Sequence, residues 1–172
     1  MRYNVAQLLK EAIGATRHQS IEADIATLDE EIRLLRPVRG QVRLLRTDAG
    51  ILVQGRVQTE VELVCSRCLA SFALPLEVTL EEEFRPSVDI ATGKKIPRGA
   101  EDAALVIDEQ HILDLWELIR QQLLLALPMH PLCRPDCAGL CSQCGKNLNE
   151  GPCECAEEMD PRWAVLQAWQ QS

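Results

Sequence analysis

The chain has 172 residues, of which 47% are hydrophobic and 26% charged, and its formal net charge at pH 7 is −8. This length suits one domain with a core and a small appendix, and the composition excludes wholesale disorder. The longest apolar run, Leu123 to Pro128, is far shorter than the ~20 residues of a membrane span, and the first residues lack the apolar block of a signal peptide. We therefore expect a soluble, cytoplasmic protein with no membrane partner.

Charge is distributed unevenly along the chain. Residues 1–100 contain 14 basic and 14 acidic side chains, whereas residues 101–172 contain 4 and 12. A surface that binds anions is therefore expected in the first half.

The first predicted element is a short amphipathic helix. Four apolar residues share one helical face: Val5, Leu8, Leu9 and Ile13. Gly14 follows as a stop signal. Residues 20–32 fit both a helix and a strand, and the alternation of Ile21, Ala23 and Ile25 favours an early strand.

Three runs of alternating apolar residues follow, over 38–44, 51–65 and 72–84. This period of two predicts half-buried strands. Their connections are too short for the crossovers that parallel strands need, so we expect an antiparallel meander that could curl toward a barrel. Pro75 points to the outward side of its strand, which indicates an edge or a bulge.

A loop and a helix complete the predicted core. Residues 86–104 show little periodicity and several Pro, Gly and Lys residues, and we interpret them as a mobile loop. Asp114 and Glu117 have the spacing of a capping box, and the apolar pattern continues as a helix to Leu127, just before Pro128. The last two turns are apolar nearly all round, so this helix is expected to be buried against the sheet.

Composition changes after residue 130, which divides the chain into a sheet-and-helix core at 1–130 and a cysteine-rich tail at 131–172. Within the tail, Asp160-Pro161 is typical of a helix start. We expect a short final helix there, with these apolar residues: Trp163, Leu166 and Trp169.

Eight cysteines occur in a chain expected to stay in a reducing compartment, where clustered thiols usually bind metal. They form one Cys-x-x-Cys pair between two predicted strands and a run of six in the tail: Cys65 and Cys68, then Cys133, Cys137, Cys141, Cys144, Cys153 and Cys155. Because tetrahedral zinc takes four thiolates, they divide into two sets of four. The last four are close enough in sequence for a small zinc ribbon. The other four would link the tip of the meander to the segment after the long helix.

Three alternatives to two structural zinc ions are considered. One is a single zinc in the tail, with Cys65 and Cys68 as buried small side chains or free thiols. A thiol oxidoreductase is disfavoured because redox Cys-x-x-Cys pairs lie where a strand enters a helix, whereas this pair lies between strands. Catalytic zinc is disfavoured because all-cysteine sets are usually closed, and His18, His111 and His130 have no catalytic spacing.

Arginines cluster before and within the first strand of the meander. Five lie within fourteen residues, with no lysine among them: Arg33, Arg36, Arg39, Arg43 and Arg46. A turn at residues 48–49 predicts a register in which Leu44 lies opposite Val53 on the inner face. Arg43 and Gln54 then lie side by side on the outer face.

The outer face of this hairpin becomes a platform of arginine and glutamine that suits phosphate contacts. We assign four residues to a candidate RNA-binding site: Arg36, Arg39, Arg43 and Arg56. The alternative is a solvated sheet face whose arginine stems cover apolar surface. Aromatic residues make up only 3% of the chain, so recognition by base stacking is poorly supported.

Several short motifs occur in order along nearly the whole chain: Asn4-Val5-Ala6-Gln7-Leu8-Leu9, Cys65-Ser66-Arg67-Cys68 before Phe72, Asp114-Leu115, Leu124-Leu125-Ala126-Leu127-Pro128, Gly139-Leu140-Cys141 to Cys155, and Asp160-Pro161-Arg162. Together they resemble the YceD family, the large ribosomal RNA subunit accumulation proteins. The resemblance implies a cytoplasmic, non-catalytic factor needed for normal levels of large-subunit ribosomal RNA.

We therefore predict an α+β protein: an antiparallel β-meander that could be barrel-like, a buried helix and a C-terminal zinc ribbon, with one or two zinc ions. Its predicted role is to support large-subunit ribosomal RNA accumulation and ribosome assembly by binding RNA or a pre-ribosomal particle. The alternative is a protein-interaction adaptor with structural zinc that contacts a ribosomal protein or a processing enzyme through the acidic tail, without direct RNA contact. Neither catalysis nor a small-molecule substrate is expected.

Overall fold

The structure, a computed structural model, describes residues 1–29, 32–96 and 103–155. These residues form eight strands, two α-helices and two short 3-10 turns. The strands are β1 (Arg2–Asn4), β2 (Thr16–Ala23), β3 (Arg33–Leu34), β4 (Val38–Arg46), β5 (Ile51–Val64), β6 (Ser71–Pro86), β7 (Val106–Ile107) and β8 (Ile112–Asp114). The helices are α1 (Ala6–Lys10) and α2 (Trp116–Leu125), and the 3-10 turns span Ala103–Leu105 and Leu148–Glu150.

One large sheet has the strand order β2-β4-β5-β6-β7, and β3 also pairs with β5. All of its neighbours are antiparallel except β6 and β7. The predicted register of the first hairpin is confirmed, since Leu44 lies opposite Val53 and Arg43 opposite Gln54. The early strand is confirmed only in part, because β2 spans Thr16–Ala23 and leaves Ile25 outside it. β1 pairs with β8 in a separate two-stranded sheet.

The inner face of the large sheet and both helices share one hydrophobic core. Alternate residues of β4, β5 and β6 are buried, as the period of two predicts. The helices contribute five buried side chains to the same core: Leu8, Leu9, Leu118, Ile119 and Leu123. The opposite face of the sheet is therefore left to solvent, and the arginines lie there.

Two inward-facing glycines let β4 and β5 approach closely. A Cβ atom at Gly40 would lie 2.2 Å from the Arg56 carbonyl oxygen, and one at Gly55 would lie 2.3 Å from the Gln41 carbonyl oxygen. No side chain fits at either position without moving the backbone of the neighbouring strand.

The expectation of a barrel-like curl is wrong, because the sheet is open. Within the described residues, β2 pairs only with β4, and the far edge of β6 pairs with β7 only at Arg85 and Pro86. The first and last strands therefore never meet to close a cylinder. Pro75 pairs with Glu60 of β5, and within the described residues its other side has no strand partner, which confirms its predicted edge position.

Both helices are shorter than predicted. The backbone is already extended at Glu11, so Ile13 falls beyond α1 and is 69% exposed rather than part of its apolar face. Asp114 ends β8 and its carboxylate accepts the Trp116 backbone N–H at 3.0 Å, so it precedes α2 instead of opening it.

The described first part of the predicted loop, residues 86–96, contains more structure than expected. Val88 pairs with Lys95 around a turn whose backbone N–H groups donate to the Asp89 carboxylate. The predicted helix after Asp160-Pro161 lies outside the described residues. No helix in the described ranges is long and apolar enough to cross a membrane.

Candidate metal centres and arginine face

Four cysteines from two distant parts of the chain meet at one point, which we call site A: Cys65, Cys68, Cys133 and Cys137. Their Sγ atoms all lie within 4.8 Å of one another. The Sγ–Sγ distance is 3.8 Å between Cys65 and Cys137 and 3.7 Å between Cys68 and Cys133. A disulfide requires about 2.05 Å. A zinc–thiolate tetrahedron with bonds of about 2.3 Å has edges of about 3.8 Å, so these sulfur positions fit a metal ion.

Site A is built by the turn between β5 and β6, which we call the knuckle (residues 64–70). The Leu69 backbone N–H donates to the Cys65 carbonyl at 2.9 Å and turns the chain so that both sulfurs face inward. Ser66 anchors the other segment, because its backbone N–H and hydroxyl donate to the Pro131 carbonyl at 2.8 and 2.7 Å. The Arg67 guanidinium donates to the Cys137 carbonyl at 3.0 Å.

The remaining four cysteines form site B: Cys141, Cys144, Cys153 and Cys155. Their Sγ atoms also lie within 4.8 Å of one another. The Gln143 backbone N–H lies 3.4 Å from the Cys141 Sγ, and Gly145 continues the turn with a positive φ of 70°. The two sites differ in exposure: three sulfurs of site A belong to buried residues, whereas Cys144 and Cys155 are exposed.

The predicted division of the cysteines into two sets of four is confirmed. Both clusters are compatible with a metal ion such as zinc. Site A joins the knuckle cysteines to Cys133 and Cys137, which lie at least 65 positions further along the chain. This is the predicted link between the meander and the segment after the long helix.

Backbone N–H groups strongly lower the pKa of at least one thiol in each cluster. The Cys133 and Cys68 backbone N–H groups lower the pKa of Cys65 to about 6. The N–H groups of Cys144 and Gln143 lower the pKa of Cys141 to about 6. In each cluster the lowered pKa favours the thiolate form, which is the form that binds a metal cation.

Other thiols in the clusters are shifted in the opposite direction. Burial, followed by the neighbouring Cys68 sulfur, raises the pKa of Cys133 to about 12. The neighbouring Cys144 sulfur raises the pKa of Cys155 to about 12. These thiols ionise only when a cation compensates their charge.

Asn149 is a positioning residue that the sequence analysis missed. Its side-chain Nδ2 donates to the Cys137 Sγ at 3.3 Å and lowers the pKa of that thiol. Its Oδ1 accepts from the Ala138 backbone N–H at 2.9 Å and from Arg134 at 2.6 Å. Asn147 in turn holds Asn149 through two hydrogen bonds. An Asn-x-Asn pair directly after a Cys-x-x-Cys-Gly turn is the signal that could have revealed this contact.

The outer sheet face contains the predicted arginines, and most of them have carboxylate partners. Arg39, Arg43 and Arg56 are exposed on β4 and β5, and Arg36 lies just before β4. The ion pairs are Arg36–Glu60 at 2.6 Å, Arg39–Glu22 at 2.8 Å and Arg56–Glu77 at 3.7 Å. No carboxylate of the described residues lies within 4 Å of Arg43. Arg46 points elsewhere and donates to the backbone carbonyls of Leu9, Thr47 and Gly50.

A row of glutamates on β6 borders the arginines. Glu77 lies opposite Gln58, and Glu81 lies opposite Gln54, whose Nε2 donates to it at 3.1 Å. The face is therefore mixed in charge rather than purely basic. The alternating pattern of β6 in the sequence already places these glutamates on the outward side. The prediction of an arginine platform considered only the hairpin of β4 and β5, so it did not include them.

The chain matches the family described as large ribosomal RNA subunit accumulation protein YceD over residues 53–169. This match covers more than half of the sequence. The chain therefore belongs to the YceD family, as its motifs indicated.

Similar proteins come from bacteria and plants. An uncharacterized protein of Mycobacterium tuberculosis is 38% identical over 125 residues, which cover 73% of this chain and 58% of that protein. The chloroplastic large ribosomal RNA subunit accumulation protein YCED homolog 1 of Arabidopsis thaliana is 27% identical over 152 residues, covering 76% of this chain and 47% of that protein. The uncharacterized protein YlbN of Bacillus subtilis is 26% identical over 150 residues, covering 84% and 80%. The chain thus spans 58% of the length of its mycobacterial relatives. No solved structure matches it.

Proposed function

We propose that this chain is a cytoplasmic, non-catalytic factor that supports accumulation of large-subunit ribosomal RNA by binding that RNA or an assembly intermediate that contains it. Family membership supports this proposal, since plant relatives are named for large ribosomal RNA subunit accumulation. The proposed partner is a pre-ribosomal particle, with no small-molecule substrate and no membrane.

The observation that carries the RNA contact is the register of β4 and β5. It places Arg39, Arg43 and Arg56 on one exposed surface, with Arg36 at its edge. Guanidinium groups bind phosphate oxygens with two parallel hydrogen bonds, and such contacts fix the position of a protein on a nucleic acid. An open groove of about 760 Å³ runs beside Arg36 and Arg39, and Glu60 and Glu77 line it as well.

Ion pairs on this face do not prevent phosphate binding. Exposed pairs such as Arg39–Glu22 contribute only about 0–1 kcal/mol, so a phosphate group can replace the carboxylate at small cost. Arg43 has no such competitor among the described residues. We therefore assign Arg43 the largest share of the phosphate contact.

We further propose that sites A and B each hold one zinc ion. Four thiolates complete the tetrahedral coordination of zinc, so neither site would leave an open position for substrate or water. This closed coordination supports a structural role, and it supports the proposal that the protein is not an enzyme.

The proposal is tested by filter binding of large-subunit RNA over a salt series. The triple variant Arg39→Gln, Arg43→Gln, Arg56→Gln should keep its fold and zinc content, and the slope of log affinity against log salt should flatten by about 0.7–0.9 per lost phosphate contact. The single variant Arg43→Gln should lose more affinity than Arg36→Gln. Large-subunit RNA in cells should fall in the triple variant.

A matched control removes the same charge elsewhere, with Arg2→Gln, Lys10→Gln and Arg17→Gln in one chain. That variant should bind RNA as the unmodified protein does. Equal losses in both triple variants would show only a general charge effect and would contradict a contact made by this face.

The protein-interaction adaptor is the second candidate function. The ion pairs of Arg36, Arg39 and Arg56 favour it, because arginines paired with carboxylates create a weaker positive potential and attract RNA less strongly. It predicts normal RNA binding and normal large-subunit RNA levels in the arginine variant. Under this alternative, replacement of Glu154, Glu157 and Glu158 in the acidic tail is the damaging change.

A further inference from the structure

Arginine and glutamine alternate between the two central strands of the outer sheet face. The register of β4 and β5 places one arginine directly opposite one glutamine in three successive outward rows: Arg39 with Gln58, Arg56 with Gln41, and Arg43 with Gln54. We call these six side chains the arginine–glutamine track. Five of them are exposed, and Gln54 is half-buried. Each row therefore offers one cation and one amide, and the amide both donates and accepts hydrogen bonds.

An open groove follows the track. Two cavities, of about 760 and 330 Å³, share three lining residues and are therefore continuous: Arg39, Gln58 and Glu77. The smaller cavity continues to Gln41 and Arg56, which form the next row of the track. The groove thus covers two rows, and Arg43 lies one row beyond it.

The opposite end of the groove is apolar. Three side chains line it there: Leu35, Pro37 and Pro75. Leu35 is 42% exposed, so it is accessible to a ligand. The faces of nucleobases are also apolar, and contact with this end would remove apolar surface of both partners from water. Only an unpaired, unstacked base presents its face in this way, because paired bases are stacked inside a duplex.

Carboxylates border the track on both sides. On the β2 side, Glu22 lies opposite Arg39, and on the β6 side Glu77 and Glu81 lie opposite two glutamines of the track. Because neighbouring strands lie about 4.8 Å apart, the cationic band is only two strands wide. An RNA duplex presents the phosphates of both its strands across a wide minor groove, so one row of phosphates would lie over these glutamates. A single strand keeps its phosphates within the band.

Net charge alone does not select the ligand of this groove. The described residues that line it include three arginines, but also the carboxylates of Glu60 and Glu77. The attraction for phosphate is therefore weak at long range, and the ligand is selected by where the cations, amides and apolar side chains lie.

We propose that the groove and the track bind one unpaired RNA strand that runs along β4 and β5, with its phosphates on Arg39, Arg56 and Arg43 and one base against the apolar end. The rows lie two residues, or about 6.8 Å, apart, which suits one nucleotide of an extended strand per row. The glutamine amides then face 2′-hydroxyl groups and base edges. This inference rests on the proposed binding of RNA by the arginine face and goes beyond it, because it names the form of the RNA and its direction on the sheet.

The first test compares two labelled RNAs by fluorescence anisotropy with the full chain. One is an unstructured oligonucleotide, and the other is a perfectly paired stem with the same number of phosphates. The unstructured RNA should bind about tenfold more tightly or better. Glu77→Gln combined with Glu81→Gln should shrink this preference, because it removes the repulsion at the border. Glu11→Gln combined with Glu109→Gln removes the same charge elsewhere and should leave the preference unchanged.

The second test removes the amides and no charge, with Gln41→Ala, Gln54→Ala and Gln58→Ala in one chain. Affinity for the unstructured RNA should fall by about tenfold. The slope of log affinity against log salt should stay unchanged, because no phosphate contact is lost. Leu35→Ser should lower the same affinity by about fivefold, since it removes apolar contact with a base.

The matched control for the amides is Gln7→Ala, Gln110→Ala and Gln122→Ala in one chain, which should bind both RNAs as the unmodified chain does. Melting temperatures identify variants that fail to fold, and the preference of the unmodified chain tests the proposal without any variant.

Equal or tighter binding of the paired stem by the unmodified chain would overturn this proposal, and so would normal affinity in the folded glutamine variant. Both outcomes leave the proposed function intact if Arg39→Gln, Arg43→Gln and Arg56→Gln still weaken RNA binding. Normal RNA binding in that arginine variant would instead overturn the RNA contact of the proposed function, so the two failures are distinguishable.

Discussion

At the scale of single residues, Asn149 connects site A to the chain that follows it. Its amide hydrogen bond to the Cys137 Sγ stabilises the thiolate form, and its Oδ1 fixes the Ala138 backbone beside that cysteine. Residues that orient metal ligands in this way contribute to metal affinity without touching the metal.

Replacement of this side chain should be measurable at site A alone. Asn149→Ala removes the donor to Cys137, and we expect zinc affinity at site A to fall by about 10–100-fold. Competition with a chromophoric chelator measures both affinities. Site B serves as the internal control, and an equal loss at both sites would contradict a specific role for Asn149.

The cysteine pKa values predict how many protons zinc displaces. At about pH 7.5, Cys65 and Cys141 are already ionised because their pKa values are lowered to about 6, whereas Cys133 and Cys155 remain protonated because theirs are raised to about 12. Zinc binding should therefore release protons, but fewer than four per ion.

Calorimetry in buffers of different ionisation enthalpy counts these protons. The lowered pKa of Cys65 stabilises the folded chain relative to the unfolded chain. This contribution is fully present above the ordinary thiol pKa of 9.0 and is lost as the pH falls through about 6, because the folded thiolate then becomes protonated. The number released per zinc should therefore rise toward four as the starting pH is lowered below about 6. Release of four protons per ion already at about pH 7.5 would show that Cys65 and Cys141 are not pre-ionised.

At the scale of elements, the pairing of β4 with β5 depends on the absence of two side chains. Gly40→Ala would place its Cβ 2.2 Å from the Arg56 carbonyl oxygen, so the strands must separate. We expect a loss of about 1–3 kcal/mol in the free energy of unfolding, by analogy with overpacked cores. Urea denaturation measures it.

Gln41→Ala is the matched control for this prediction, because Gln41 is the exposed next neighbour on the same strand. Its effect should stay within about 0.5 kcal/mol, as is usual for surface substitutions. Similar losses in the two variants would argue against a close approach of the strands at Gly40.

Sequence reasoning succeeded where a pattern of residues is compatible with only one structure. A slip of one residue in the β4–β5 hairpin would bury arginine, so the pairing of Leu44 with Val53 was predictable. The division of the cysteines was predictable because site B closes over few residues and leaves four partners for site A.

Sequence reasoning failed where several different structures are compatible with the same local pattern of residues. Ile13 continues the helical spacing of α1, but the chain must turn into β2 and leaves it exposed. Barrel closure depends on the strand edges, and alternation along a strand does not specify them. Asn149 was missed because its role arises from a contact across a fold of the chain rather than from spacing.

At the scale of the whole molecule, sites A and B hold different parts together. Site A joins the knuckle to the segment after α2, whereas site B links residues within 141–155 alone. Loss of the metal ion from one site should therefore destabilise mainly the part of the chain that this site holds together.

Substitution at the two sites separates these roles. With both proposed zinc ions bound, Cys141→Ser should lower the zinc content from two ions to one and unfold only residues 141–155, while the sheet melts normally. Cys68→Ser should also remove one zinc, but it should lower the melting temperature of the sheet and of α2. Elemental analysis and thermal melting measure both effects. If Cys68→Ser changes neither quantity, site A holds no metal.

Site A also has a topological consequence. A metal ion there would close a covalent and coordinate ring from Cys68 to Cys133, positions 65 residues apart, and this ring contains β6, β7, β8 and α2. In a chain-entropy treatment, a permanent cross-link over that length removes about 4 kcal/mol of freedom from the unfolded ensemble. In the reducing cytosol that we propose for this chain, disulfides would not persist, whereas zinc–thiolate bonds would. Metal supply would thus decide whether more than a third of the chain opens as a free segment or only as a tethered loop.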